Sequence, residues 1–350
     1  MRRRSWRRAR FGAWLGALVA VAVALAACAG GPEGGRPGEH DAGRGTGDKV
    51  SVVATFYPLA FMAREVGGDR VEVTELVPPG TEPHDWEPRP SDVRAVQRAR
   101  VFIYNGAGFE PWVDRVLAAA GNDQLVTVNA SEGIHLLPAP GDGGHRDGHG
   151  GDAQGQAGGR GLGGNAHGDA GRGGYDPHVW VDPHLSQQQV RSVAKALMRA
   201  DPAGEAVYQA NAERLIERLA GLERRYRELA SCPRREIVVS HAFFTYPAQR
   251  YGLRQVPIYG TLAPGSEPSP RQMAELTRFI RSRGIRHILV EPLVNDRAAQ
   301  VLAAETGAQL LILHPLESLT EQDRAAGRDF LSLMEQNLHN LRVALGCDAR

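Results

Sequence analysis

The chain has 350 residues, of which 42% are hydrophobic, and it carries 41 basic and 40 acidic side chains. This apolar content is enough for a sizeable buried core, and the length alone favours two domains. The charge is nearly balanced and lacks the strongly basic character of proteins that bind nucleic acid. A nucleic-acid partner is therefore not expected.

The first 27 residues have the layout of a secretory signal, in which six arginines precede an apolar run over 11–27. This run is shorter than the stretch of about 20 residues that usually spans a membrane, although a single transmembrane anchor is the alternative interpretation. The sequence Leu-Ala-Ala-Cys at 25–28 resembles a bacterial lipobox, which predicts lipidation of Cys28 and attachment to a membrane surface. Removal of residues 1–27 would leave 35 basic and 40 acidic residues, a formal charge of −5.

Residues 28–48 are rich in glycine, proline and charged side chains and are predicted to form a flexible tether between the lipid and the folded part. Once Cys28 is lipidated, Cys232 and Cys347 are the remaining cysteines. An even number of thiols in an oxidising compartment favours a disulfide between them, and two unpaired core cysteines are the alternative.

Strands and helices alternate from residue 49 to residue 184, which predicts a parallel sheet covered by helices. β-rich runs lie at 50–56, 71–77, 101–104 and 125–128, and helical patterns lie at 59–66, 91–99 and 111–120. This stretch is predicted to be the N-terminal α/β domain.

Two long helical patterns at 185–199 and 202–230 follow, and the region 185–231 is predicted to include a long rigid helix between the domains. The C-terminal α/β domain is predicted over 232–350. Its strands are expected at 236–240, 255–259, 286–291 and 309–313, and its helices at 270–283, 295–306 and 320–345. The predicted fold class is two similar parallel-sheet α/β domains joined by a long helix.

A glycine- and histidine-rich loop at 139–175 interrupts the N-terminal domain. Sixteen of the 34 residues from 141 to 174 are glycine, so this segment has too little apolar area to order itself. Its three histidines, His145, His149 and His167, make it a candidate for weak auxiliary metal binding, and an inert spacer is the alternative interpretation.

Four residues are candidates for a metal site. Three are expected just beyond strand ends, where α/β sheets bind ligands, and one follows the glycine- and histidine-rich loop. They are His84, His178, His241 and Glu317. Three neutral imidazoles and one carboxylate suit tetrahedral Zn²⁺, whereas manganese usually takes more oxygen ligands. Each histidine taken singly could instead be a surface or hydrogen-bonding residue. Glu291, also at a strand end, is a candidate to orient a ligand histidine, with a capping or surface role as the alternative.

Several motifs resemble the metal-receptor lipoproteins of ABC importers, the cluster A-I solute-binding proteins for zinc and manganese. In the first half these are Glu-Pro-His at 82–84, Asn-Gly-Ala-Gly-Phe-Glu-Pro-Trp at 105–112 and Asp-Pro-His-Val-Trp-Val-Asp-Pro at 176–183. In the second half they are Ser-His at 240–241, Glu-Pro-Ser-Pro at 267–270, Glu-Pro at 291–292 and Pro-Leu-Glu-Ser-Leu-Thr at 315–320. The resemblance extends from residue 50 to the C-terminus, with the motifs in the expected order.

The resemblance implies a metal held between two α/β domains and delivered to a membrane permease that a cytoplasmic ATPase drives. It gives the ligand roles to His84, His178, His241 and Glu317, while His314 competes with Glu317 for the fourth place. The histidine-rich loop is similar to that of the zinc branch of the family.

The expected function is therefore an extracytoplasmic, lipid-anchored and monomeric zinc receptor for uptake, with manganese as the alternative cargo. Four protein ligands leave no place for an activated water, and the chain has neither a His-Glu-x-x-His nor a Gly-x-Ser-x-Gly motif. An enzyme is not expected. A zinc hydrolase that uses three of the ligands and an adhesin that contains a metal are the alternatives.

Overall fold

The computed structural model describes residues 49–139, 174–259, 267–294 and 296–347. They lie within one compact unit, Asp48–Arg350. The predicted signal, the predicted tether with Cys28, and the loop histidines His145, His149 and His167 lie outside the described residues. None of the helices in the described ranges is both long enough and apolar enough to cross a membrane.

The first half contains a four-stranded parallel sheet in the order β2-β1-β3-β4. Its strands are β1 (Val50–Ala54), β2 (Val71–Glu75), β3 (Val101–Tyr104) and β4 (Val126–Asn129), and its helices are α1 (Tyr57–Gly67), α2 (Pro90–Arg98) and α3 (Val113–Ala120). Helices cover both faces, so neighbouring residues of a central strand enter different cores. Val52 belongs to one hydrophobic cluster and Val53 to another, which explains the unbroken apolar run of β1.

Two helices connect the halves, α4 (Pro183–Ala200) and α5 (Glu205–Arg227). The side chain of Asp182 accepts a hydrogen bond from the backbone of His184 at 2.8 Å and caps the start of α4. The second helical stretch is shorter in α conformation than the predicted 202–230, because 3₁₀ turns form at both of its ends. At 23 residues α5 is about 35 Å long.

The second half repeats the first sheet, with four parallel strands in the order β6-β5-β7-β8. The strands are β5 (Glu236–Val239), β6 (Arg254–Pro257), β7 (His287–Val290) and β8 (Gln309–Ile312). The helices are α6 (Thr245–Tyr251), α7 (Pro270–Arg283), α8 (Arg297–Thr306), α9 (Glu321–Ala325) and α10 (Phe330–Leu345). The predicted fold class of two similar parallel-sheet α/β units is thus confirmed.

The last predicted helix, 320–345, is wrong in one respect, because it is broken into α9 and α10. Gly327 adopts a left-handed conformation with φ of 64° between them, and the side chain of Asp329 accepts a hydrogen bond from Ser332 N at 2.8 Å to begin α10. The seven-residue helix α6 was not predicted, since it is too short to show a helical period.

The largest hydrophobic cluster draws residues from both halves and from the connecting helices. Phe61 of α1 and Phe330 of α10 stack with ring centroids 5.4 Å apart, so the halves share buried surface away from the sheets. Cys232 and Cys347 form a disulfide that joins the chain after α5 to the chain after α10. The disulfide therefore closes the second half on itself, whereas the contact between α1 and α10 joins the two halves.

Candidate metal centre

His84 lies in the loop between β2 and α2. The start of this loop continues the strand pairing, because the backbone N–H of Leu76 donates to Ala54 O at 3.0 Å and that of Val77 donates to Thr55 O at 2.9 Å. The imidazole of His84 packs against the ring of Phe109, with centroids 4.9 Å apart, and its side chain is 12% exposed. The loop thus leaves the sheet at its carboxyl edge, and its histidine packs against Phe109 in the loop that follows β3.

His178 is held by the carboxylate of Asp176, two residues earlier. Oδ1 of Asp176 lies 2.7 Å from Nδ1 of His178 and also accepts the backbone N–H of His178 at 2.9 Å. Both residues are fully buried. Because Nδ1 faces Asp176, Nε2 is the atom that faces the other candidate ligands. The sequence marks Asp176 only as part of the Asp-Pro-His motif. Its position two residues before His178 is the one feature that indicates its role in orienting the imidazole.

His241 follows β5 and is oriented in the same way by Glu291, which follows the adjacent strand β7. Nδ1 of His241 lies 2.6 Å from Oε1 of Glu291, so Glu291 contacts one of the candidate ligand histidines. Nε2 of His241 is buried and has no hydrogen-bond partner in the described ranges. A buried imidazole nitrogen of this kind is unfavourable unless it meets a proton donor or a metal.

Glu317 belongs to the loop after β8, and only 3% of its surface is exposed. Its Oε1 lies 3.6 Å from Nε2 of His84 and 3.4 Å from Nε2 of His178. A buried carboxylate needs a cationic partner to offset its loss of hydration. These imidazoles, or a cation held with them, meet that requirement.

His314, the competing candidate for the fourth position, lies outside this group. Its Nδ1 accepts the backbone N–H of Leu316 at 2.8 Å, and its Nε2 lies 3.5 Å from Oδ2 of Asp323. Both ring nitrogens are therefore directed at other partners. The two residues that separate His314 from Glu317 turn the histidine away from the site.

One donor atom from each of four residues lies within 4.8 Å of all the others, namely from His84, His178, His241 and Glu317. A tetrahedral zinc site with metal–ligand distances of about 2.0–2.1 Å has ligand atoms about 3.3 Å apart. The His84–His178 pair, at 3.2 Å between Nε2 atoms, and the two distances to Glu317 are close to this value. The donor set and its spacing fit a divalent cation bound without an open position.

Aromatic rings surround the donor atoms and limit the access of water. Ring centroids lie 5.2 Å apart for His178 and Trp180 and 5.0 Å apart for His241 and Phe243. An apolar surround of this type strengthens electrostatic attraction between a cation and its ligands.

The charges at the site are strongly coupled in the metal-free protein. Burial lowers the pKa of His178, but the carboxylates of Asp176 and Glu317 outweigh burial and raise that pKa to about 9. Burial raises the pKa of Glu317, but His84 and His178 outweigh it and hold that pKa well below its usual range. Because an imidazole binds a metal only in its neutral form, a proton and a cation compete for Nε2 of His178.

Residues 52–344 match the family model described as zinc-uptake complex component A, periplasmic, or ZnuA. The chain belongs to this family. It is 34% identical to the high-affinity zinc uptake system protein ZnuA of Bacillus subtilis over 338 residues, which cover 96% of this chain and 98% of that protein. It is also 34% identical to the zinc-binding lipoprotein AdcA of Streptococcus pneumoniae over 84% of this chain, but it spans only 55% of that protein.

Among solved structures, the chain is similar to the Zn(II)-bound ZnuA-like domain of AdcA from Streptococcus pneumoniae. The TM-score is 0.69 at 32% identity, and the match covers 85% of this chain and 99% of that domain. Family membership confirms the resemblance of the motifs to metal receptors and the preference for the zinc branch. The chain is thus an extracytoplasmic solute-binding component rather than an enzyme.

In the metal-free protein, we predict that the imidazole of His178 keeps its second proton up to about pH 9, because the carboxylates of Asp176 and Glu317 stabilise the charged form. An NMR titration of the ring nitrogens measures this pKa. Asp176→Asn should lower it, whereas the exposed control Glu335→Gln on α10 should leave it unchanged. A pKa of His178 at or below the ordinary 6.5 in the unaltered protein would contradict the stabilisation of its charged form by Asp176 and Glu317.

Proposed function

We propose that this chain is a high-affinity receptor that captures Zn²⁺ through His84, His178, His241 and Glu317 and delivers it to an ABC permease and its ATPase. The observation that carries the proposal is the convergence of four donor atoms within 4.8 Å in a largely buried site. Four protein ligands close the coordination sphere, which suits capture of an ion and leaves no site for an activated water.

The donor set favours zinc over manganese as the cargo. Three imidazole nitrogens and one carboxylate oxygen match the borderline-soft preference of Zn²⁺, whereas manganese favours a larger number of oxygen ligands. The carboxylates of Asp176 and Glu291 support this donor set, because each contacts Nδ1 of a ligand histidine and leaves Nε2 for the metal. The similar proteins ZnuA and AdcA are named as zinc uptake and zinc-binding proteins, which also favours zinc as the cargo.

The arrangement of the whole chain is part of the proposal. Residues 49–184 and 232–350 would form two lobes that supply two ligands each, and the helices of 185–231 would connect them. Residues 1–27 would be removed as a signal, Cys28 would carry the lipid, and 28–48 would allow the monomeric receptor to reach its permease from the membrane surface. The name of AdcA as a lipoprotein supports this form of anchoring.

The mature protein should bind one equivalent of zinc tightly and prefer it over manganese in direct competition. Asp176→Asn should weaken zinc binding about 10- to 100-fold, as is typical for loss of a partner that orients a ligand. Alanine in place of His84, His178 or His241 should weaken it more, because a ligand itself is lost. Calorimetry with a competing chelator and elemental analysis measure these affinities and the metal content.

The exposed Glu335→Gln variant is the control and should bind zinc as the unaltered protein does. Preference for one equivalent of manganese, or ligand variants with unchanged zinc affinity, would overturn the proposal.

We further propose that His145, His149 and His167 bind additional zinc only weakly, because the segment offers only three histidines spread among many glycines. Deletion of 141–174 should then retain the one tight equivalent and lower the total zinc bound at high concentration. Equilibrium dialysis over a range of zinc concentrations separates the two classes of site. Loss of the tight equivalent would instead make the loop part of the primary site.

A further inference from the structure

The loop that carries Glu317, residues 314–318, is hydrogen-bonded to the two segments of the first half that carry His84 and His178. The indole N–H of Trp180, two residues after His178, donates to Pro315 O at 2.8 Å. The backbone N–H of Gly80, four residues before His84, donates to Oγ of Ser318 at 2.8 Å. Glu317 thus lies between two hydrogen bonds that join the halves of the molecule.

The conformation of this loop is one that needs support. Leu316 has a φ of 68°, in the left-handed region that residues other than glycine adopt rarely and keep only where their surroundings hold them. The backbone N–H of Leu316 donates to Nδ1 of His314 at 2.8 Å. Asn337 in turn exchanges two hydrogen bonds with the backbone of His314, each at 2.7 Å. The second half therefore supports one end of the loop.

The two hydrogen bonds to the first half differ in their surroundings. The bond from Trp180 to Pro315 is fully buried, and its loss would leave an unpaired carbonyl in the core. Ser318 is 2% exposed, but its partner Gly80 lies in an exposed loop where water can replace the serine hydroxyl. Because water can take the place of the serine hydroxyl at Gly80, the bond between Gly80 and Ser318 costs less to open than the buried bond from Trp180.

We propose that Ser318 is a positioning residue that holds the carboxylate of Glu317 against His84 and His178 and thereby sets the rate at which the receptor releases its metal. The inference rests on the proposed function, since it concerns the zinc ion bound at the same site. Opening of the hydrogen bond between Gly80 and Ser318 frees one end of the Glu317 loop from the first half. The carboxylate can then withdraw while the three imidazoles still hold the cation.

The test compares zinc release from Ser318→Ala and from the unaltered protein by stopped-flow mixing with a chelator. Loss of one hydrogen bond between neutral groups should accelerate release about three- to tenfold. Ser131→Ala is the matched control, because Ser131 is also buried and its hydroxyl has no hydrogen-bond partner in the described part of the chain. This control should release zinc at the unaltered rate.

Two further measurements distinguish positioning of Glu317 from a general loosening of the fold. The visible absorption of the Co²⁺-loaded protein should change in Ser318→Ala, since it reports the geometry of the ligands, and should not change in Ser131→Ala. In a Glu317→Gln background, Ser318→Ala should add little further acceleration, because the group that it positions has already lost its charge.

Equal release rates and equal cobalt spectra for Ser318→Ala and the unaltered protein would overturn the role of Ser318 and leave the zinc receptor intact. The same holds if Ser318→Ala accelerates release as strongly in the Glu317→Gln background as it does beside the native glutamate.

Failure of the unaltered protein to bind one equivalent of zinc would overturn the proposed function itself. Thermal unfolding of each variant in the metal-free form identifies a variant that has lost its fold. In that case Ser318→Gly, which also removes the hydroxyl and introduces no metal ligand, replaces Ser318→Ala in the comparison.

Discussion

The structure depends on the pairing of buried carboxylates with buried imidazoles. Asp176, Glu291 and Glu317 are each less than 5% exposed, and each faces at least one histidine of the site. Carboxylates buried in this way are tolerated only where positive charge or proton donors offset their lost hydration. In the metal-free protein the raised pKa of His178 favours such positive charge beside Asp176 and Glu317. A divalent cation supplies it more fully, so the same contacts that stabilise the fold also create a strong site for one.

The fold brings these groups together through the geometry of parallel sheets. Strands of one sheet end at the same edge, so His241 after β5 and Glu291 after β7 become neighbours although 50 residues separate them in sequence. The connecting helices and the packing of α1 against α10 hold the two halves together, and the disulfide joins the start of the second half to its end. The four candidate ligands lie on loops, which can move by small amounts without disturbing either sheet.

Much of this architecture is evident in the sequence, because alternating β-rich runs and helical patterns specify parallel α/β units. The four candidate ligands could be named from their positions and motifs. The position of His314 outside this group could not be predicted from the sequence. It depends on which ring nitrogen faces Leu316 and which faces Asp323. Similarly, the contact between Gly80 and Ser318 spans 238 residues and leaves no periodic signal in the sequence. The break before α10 depends on the left-handed backbone of Gly327, which composition alone does not distinguish from a helical glycine.

X-ray absorption at the zinc edge tests the central claim most directly, on the protein without residues 141–174 and loaded with one equivalent of zinc. The proposed site predicts four ligands at about 2.0–2.1 Å, with the multiple-scattering signature of three imidazoles and one oxygen. A six-coordinate shell dominated by oxygen, or sulfur ligands at about 2.3 Å, would contradict the assignment of His84, His178, His241 and Glu317 as the zinc ligands.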